Sequence, residues 1–279
     1  MSVRIITDST SDCPERVREH LTVVPLTVHF GEEEYIDGVT ITHAEFYRKL
    51  AEGSVLPTTS QATPDNFDQV FRKVVETGDT AVVITIASEM SGTCQSAAIA
   101  ASEYPGKIFV VDSSNVTIGA GVLVTRAFDL AQQGLSAEEI AAKINEEKKN
   151  VRVLAILDTL EYLKRGGRIS RTAAFAGGIL SIKPLVSVKN GVIEAIGKAR
   201  GVNQGIETLI KAVADAGMDE SMPACLGYTG TSSELLDKFR KVCAERNNPL
   251  AELPEVDIGS VVGTHAGPGA YAAAFFVRN

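Results

Sequence analysis

Between residues 81 and 98 an apolar run, Ala81 to Ala87, breaks into the hydroxyl-rich turn SEMSGT and reopens as a helical stretch. The same grammar appears twice more. Residues 3–7 (VRIIT) lead into Asp8-Ser9-Thr10-Ser11-Asp12, and residues 108–112 (IFVVD) lead into Asp112-Ser113-Ser114-Asn115. Short buried-type strands alternating with helical patterns predict a parallel sheet with crossover helices. Ligands of such sheets bind beyond the carboxyl ends of the strands, where turns 8–12, 88–93 and 112–115 fall.

The turn at Ser91-Gly92-Thr93 can do one of two things. A helix start leaves backbone N–H groups unpaired and aimed outward, which suits an anion, and Gly92 lets the backbone approach a ligand closely. Ser and Thr are also the usual helix caps, so a plain capped helix fits the same residues.

The rest of the first half reads as follows. Pro14 opens a helix running to about residue 20, and residues 23–30 are β-rich, with Pro25 marking an edge or a strand entry. Helices are expected at about 43–52, 64–76, 117–133 and 136–149. Residues 57–64, PTTSQATP, are bracketed by prolines and read as a loop that sets Thr58, Thr59, Ser60 and Gln61 in a row. After residue 150 the grammar changes. A strand at 152–157 and a short helix at 159–165 precede a glycine pair and Arg168-Ile-Ser-Arg171. An Ala/Gly-rich helix to about residue 178 follows. Strands 184–188 and 192–199 flank Asn190-Gly191, a strong hairpin signal. A helix at 203–216, a strand at 224–228 and an amphipathic helix at 232–246 come next. The chain closes with a strand near 256–261, a glycine-rich turn holding His265, and a β-rich tail to Val277. A hairpin within mixed α/β order predicts a mixed sheet. The expectation is an α/β chain of two domains, 1–150 and 151–279.

Composition narrows the function. With 279 residues, 44% hydrophobic and 22% charged, the chain has globular proportions. A net charge of −8 argues against general nucleic-acid binding. No apolar run is long enough to span a membrane. The N-terminus does not resemble a signal peptide. Cys13, Cys94, Cys225 and Cys243 lack paired metal or redox spacing, so free thiols in the cytoplasm are expected. Charge is uneven: residues 158–200 carry eight Lys/Arg against three Asp/Glu. Such a basic segment meets a phosphate or an acidic partner, or is solvated surface.

Catalytic signatures are missing. Ser91, His265 and a strand-end Asp lack the Gly-x-Ser-x-Gly elbow. Gly197-Lys198 is followed by Ala, so no phosphate loop is present, and the four histidines have no helical two-His zinc spacing. What remains is a set of neutral donors: Thr59, Ser60, Ser91, Thr93 and His265. Neutral hydroxyls and backbone N–H groups bind a carboxylate by charge-assisted hydrogen bonds. This is the wiring of a binder.

Taken together the motifs resemble the DegV family, the fatty-acid-binding subunits of the bacterial fatty acid kinase system. The resemblance runs almost end to end. It includes ITDSTSD (6–12), VVPLTVHFGEEEYIDG (23–38), PTTSQATP (57–64), SEMSGTCQSA (88–97) and VVDSSNVTIGAG (110–121). It continues through LEYLKRGGRIS (160–170), IKPLVSVKNGVI (182–193), KARG (198–201) and GTHAGPGA (263–270). It implies an N-terminal three-layer α/β/α domain with a parallel sheet and a C-terminal α/β domain with a mixed sheet, with a long-chain fatty acid buried between them. By motif, Thr59, Ser91 and His265 are the implied carboxylate ligands, supported by Ser60, Gly92 and Thr93. Arg171 and Arg200 match the arginines used near the head group and at the kinase contact. The chain would be a lipid-binding subunit without catalysis, metal or cofactor of its own. A separate ATP-dependent kinase would convert the bound acid to acyl phosphate for phospholipid synthesis, and transient membrane contact stays open. The sequence departs from the family at Ala62, where Pro is frequent, and at Cys94, where Tyr is frequent; both bear on pocket width. Two rivals stand beside this reading. The family fold resembles the substrate domain of dihydroxyacetone kinase, in which a His anchors a small carbonyl compound; His265 would be that residue. The other rival is a structural or regulatory protein with an empty pocket.

Overall fold

The structure is a computed structural model that describes residues 2–53, 55–169 and 182–278. Among these residues the strands form three sheets. The first is parallel, in the order β2 (Leu21–Val24), β1 (Val3–Asp8), β6 (Thr80–Thr85), β7 (Ile108–Asp112). Its strands alternate two apolar sets. Ile5, Val82 and Ile84 face one way, onto α5 (Ile118–Gln132) and α6 (Ala137–Glu147). Ile6, Ala81 and Val83 face the other way, onto α3 (Pro64–Glu76) and α4 (Thr93–Ala101). Burial on both faces is why these strands read as unbroken apolar runs.

The β-rich stretch 23–30 is two strands, not one. Pro25 lacks an amide for the ladder, and the chain turns there out of β2 into β3 (Thr27–Phe30). β3 lies between β4 (Glu33–Ile36) and β5 (Thr58–Ser60) in a small antiparallel sheet. The 57–64 segment is therefore not all loop, because its hydroxyl row forms β5 and pairs Thr59 with Val28. Helices α2 (His43–Glu52), α3 and α6 start in capping boxes at Thr42, Thr63 and Ser136, each cap stabilising its helix by about 1 kcal/mol. A one-turn helix, α1 (Glu15–Arg18), follows Pro14.

From residue 151 onward the strands belong to a mixed sheet, ordered β10 (Val192–Arg200), β9 (Ile182–Lys189), β8 (Val151–Ile156), β13 (Tyr271–Phe276), β11 (Cys225–Tyr228), β12 (Glu255–Asp257). Only β11 and β12 are parallel. The β9–β10 turn has positive φ at Asn190 and Gly191, as the hairpin signal requires, and Gly191 N donates to Ser114 O of the first half. One face of the sheet, with Leu154, Ile156 and Phe275, is covered by α8 (Gly201–Ala216) and α9 (Glu234–Glu245). The other face, with Val153, Ala272 and Ala274, looks toward α5 and the parallel sheet. Helix α5 lies between the two sheets with most of its residues buried, so its sequence is apolar around most of its circumference; its partly exposed Arg126 and Asp129 pair with Glu147 and Arg16.

Near the C-terminus the expected strand 256–261 stops at Asp257. Residues Ser260–Ala266 are a helix, α10, with His265 in its last turn. The short helix expected at 159–165 is α7 (Glu161–Arg165). The Ala/Gly-rich helix expected to about residue 178 lies outside the described residues, as does Arg171.

Candidate functional site

A cavity of about 390 Å³ opens between the two sheets and is lined from both halves of the chain. Its size suits a small organic ligand. Its deep wall is apolar: Val153 and Ala155 of β8, Val186 and Val188 of β9, Ala270 and Ala272 at β13. All six are buried. Its rim is polar and partly exposed, with Thr59, Ser60, Gln61, Ser91, Gly92, Arg168 and His265. Arg168 is the one charged side chain among the described residues of the lining.

Three structural pieces bring the rim together. β5 carries Thr59 and Ser60, and Gln61 follows it directly. The turn after β6 carries Ser91 and Gly92 just before α4, next to the point where the strand order of the parallel sheet reverses, between β1 and β6. α10 carries His265. Thr59 Oγ1 and His265 Nε2 lie 3.1 Å apart. Gln61 lies across Gly92, so closely that a Cβ on Gly92 would overlap its amide, and Gln61 Nε2 donates to Ser96 Oγ at 3.0 Å. Ser91 Oγ contacts Thr93 Oγ1 at 2.9 Å and accepts from Thr93 N at 3.3 Å. The residue at the N-cap of α4 is Gly92, without a side-chain cap bond, so the expected hydroxyl cap is not formed. Thr93 itself is buried and does not line the cavity. Arg200 is exposed and lies outside the lining, at the start of α8.

α10 is held by side chains from the first half. Gly259 N donates to Asp12 Oδ1 at 2.9 Å, and Ser260 N to Asp37 Oδ1 at 3.3 Å. Tyr47 donates its hydroxyl to Ile258 O at 2.9 Å, and His43 Nδ1 pairs with Asp257 Oδ2 at 2.8 Å. Asp12 also accepts from Thr117 Oγ1 at 2.6 Å. Thr117, at φ +51°, lines the cavity; this conformation is costly for a β-branched residue. Burial lifts the Asp12 carboxyl to about 7, against the hydrogen bond from Thr117 and the charge of His43. At the rim, burial and then the Arg168 charge lower His265 to about 4. His265 is therefore a neutral imidazole at physiological pH. Neutral hydroxyl, amide and imidazole groups, one guanidinium and an apolar interior can bind a molecule with an anionic head and a long apolar body.

Two rim residues were not singled out from the sequence. Gln61 stood in the hydroxyl row, and Arg168 in the basic segment, without a role. Arg168 is placed by the end of α7: its Nη1 donates to Gly166 O at 2.7 Å and its Nε to Met90 O at 3.4 Å. Among the described residues no group of three or more His, Cys, Asp or Glu could hold a metal ion, and no helix is long and apolar enough to cross a membrane.

Known proteins share this fold. The pattern of the DegV family matches residues 2–278. A DegV domain-containing protein of Caldanaerobacter subterraneus is 37% identical over 277 residues, 98% of each chain. Among solved structures, a DegV family protein from Thermus thermophilus, described for fatty acid binding, has a TM-score of 0.89 at 35% identity. It covers 99% of this chain and 100% of its own. A stearic-acid-binding protein from Eubacterium ventriosum has a TM-score of 0.84 at 30% identity, with coverages of 99% and 98%. With the family pattern running from residue 2 to residue 278 and a relative of matching extent 37% identical, the chain belongs to the DegV family.

Proposed function

We propose that this chain binds a long-chain fatty acid in the cavity, with its carboxylate at Thr59, Ser91 and His265 and its tail along the apolar wall. The observation that carries the reading is the polarity gradient: partly exposed neutral donors at the rim, buried Val and Ala side chains behind them. Each methylene moved from water to such a wall contributes about 0.8 kcal/mol, so the tail supplies the affinity and the donors set depth and orientation. Arg168 adds a cation beside the head group. The fatty-acid-binding DegV structures from Thermus thermophilus and Eubacterium ventriosum support the ligand class. An apolar interior of this extent does not suit a small carbonyl compound anchored on His265.

In this reading the lipid lies between residues 1–150 and residues 151–279, and the protein works in the cytoplasm as a carrier. A separate ATP-dependent kinase phosphorylates the presented carboxylate, and the acyl phosphate feeds phospholipid synthesis. Arg171 and Arg200 serve the phosphate or the kinase contact, Ser60 and Gly92 shape the rim, and Thr93 supports Ser91 from behind. The test is Thr59→Ala with Ser91→Ala. Each lost hydrogen bond to a charged group costs about 1–3 kcal/mol. The double variant should therefore release fatty acid at least about thirty-fold more readily; unchanged retention overturns the head-group assignment.

A further inference from the structure

Two glycines follow α7, and only one is explained by the turn. Gly167 has φ +69°, and the helix ends around it with Gly167 N bonded to Lys164 O and Arg168 N to Leu163 O. That is the double hydrogen bond of a Schellman cap, which wants glycine at the left-handed position. Gly166 has φ −72°, open to any residue. Its glycine is explained by space: a Cβ there would overlap His265 Nδ1. The fit is reciprocal, because a Cβ on Gly267, just after α10, would overlap the Tyr162 ring of α7. The imidazole is thus seated against the bare Cα of Gly166 on one side and Thr59 on the other.

This seat bears on where the imidazole keeps its proton. His265 Nδ1 is buried and has no hydrogen-bond partner among the described residues, while Nε2 faces Thr59 Oγ1 at 3.1 Å. A proton on Nδ1 would bury an unpaired N–H against carbon and would force Nε2 to take the single hydroxyl hydrogen of Thr59. A proton on Nε2 leaves only a lone pair unmatched, which buried structure tolerates better, and Thr59 becomes the acceptor. Its own hydrogen is then free for the ligand. Burial and the nearby Arg168 charge both oppose a second proton on the ring.

We propose that Gly166 is a positioning residue that seats His265 as the Nε2–H tautomer, so that the Thr59 hydroxyl points its hydrogen at the ligand carboxylate. This rests on the reading that Thr59 meets that carboxylate. The tautomer itself does not, and it can be read in the ligand-free protein.

The experiment has two arms. Nitrogen-15 NMR of the His265 side chain in the ligand-free protein should show Nδ1 unprotonated and Nε2 protonated; the opposite tautomer overturns the proposal whatever the protein binds. The second arm is a cycle of Gly166→Ala, His265→Ala and the double variant, read as affinity for stearic acid. Gly166→Ala should weaken binding about ten-fold in the wild-type background, shift the tautomer signature, and cost nothing further where the ring is already gone. An equal loss in the His265→Ala background means that Gly166 acts through general packing, and overturns the proposal. His265→Gln, which keeps an N–H toward Thr59, should retain more affinity than His265→Ala. If His265→Ala binds stearic acid as the wild type does, the head-group reading fails, and the tautomer shift in Gly166→Ala still decides the positioning role. If Gly166→Ala alone does not fold, recovery in the double variant supports the contact, and continued misfolding overturns it.

Discussion

Replacing Ala272 with leucine should shorten the fatty acid that the cavity accepts. Ala272 sits on the face of the mixed sheet that lines the cavity. It is paired with Ala155 on one side and Gly227 on the other, and Ala155 is paired with Val186. Within the lining, Ala155 and Ala272 present only methyl groups, while Val186 beside them is larger, so a tail passing over the two alanines has only methyl groups beneath it. Leucine adds three carbons there and displaces about three methylenes of the ligand, a loss of about 2.4 kcal/mol, or about fifty-fold in affinity. An acid too short to reach the row loses nothing. Titration calorimetry with a graded series from octanoic to stearic acid reads the difference directly, with thermal unfolding as the control for folding. Affinity should fall for stearic acid and hold for octanoic acid. An equal loss for both, or no loss for either, would refute the placement of the tail over this row.

Other perturbations separate the parts of the account. The Asp12 carboxyl is raised from 3.8 to about 7, first by burial, so the folded protein holds a proton that the unfolded chain releases near pH 4. The stability this group contributes is full below about pH 4 and is lost as pH rises through about 7. Its neighbours Asp37 and His43 are also raised and act with the same sign, while Asp257 is lowered and opposes them, its contribution present above the usual carboxylate range and lost in acid. Asp12→Asn should remove about one proton's share of the slope, up to about 1.4 kcal/mol per pH unit, between about pH 5 and pH 7 in urea unfolding; an unchanged slope would mean that Asp12 does not titrate there. Arg200→Ala, on the exposed start of α8, should lower kinase-dependent phosphorylation and spare lipid binding; loss of lipid binding instead would place the residue in the pocket.

Much of the architecture was legible because it is local. Strands β1, β6 and β7 are apolar on both faces, and α5 is apolar around most of its circumference, for one reason: each is covered by packed elements on most sides. The Asn190-Gly191 turn likewise signals itself over a few residues. What escaped the sequence is held by distant partners. β5 has three hydroxyl residues and no apolar pattern, and it exists because β3 pairs with it. α10 looks like a glycine-rich turn, yet Asp12 and Asp37 cap its first amides from 247 and 223 residues away. Of the site, the hydroxyls and His265 were visible as residue types suited to a carboxylate. Gln61 and Arg168 were not, because their places on the rim follow from Gly92 and from the end of α7. Arg171 lies outside the described residues.

The most direct measurement is mass spectrometry of organic extracts of the purified protein, followed by uptake of added stearic acid by extracted protein. The account predicts one long-chain fatty acid per chain in the extract, or stoichiometric uptake where the protein was purified empty. No lipid in the extract and no uptake would contradict it, and would return His265 to the small-carbonyl reading.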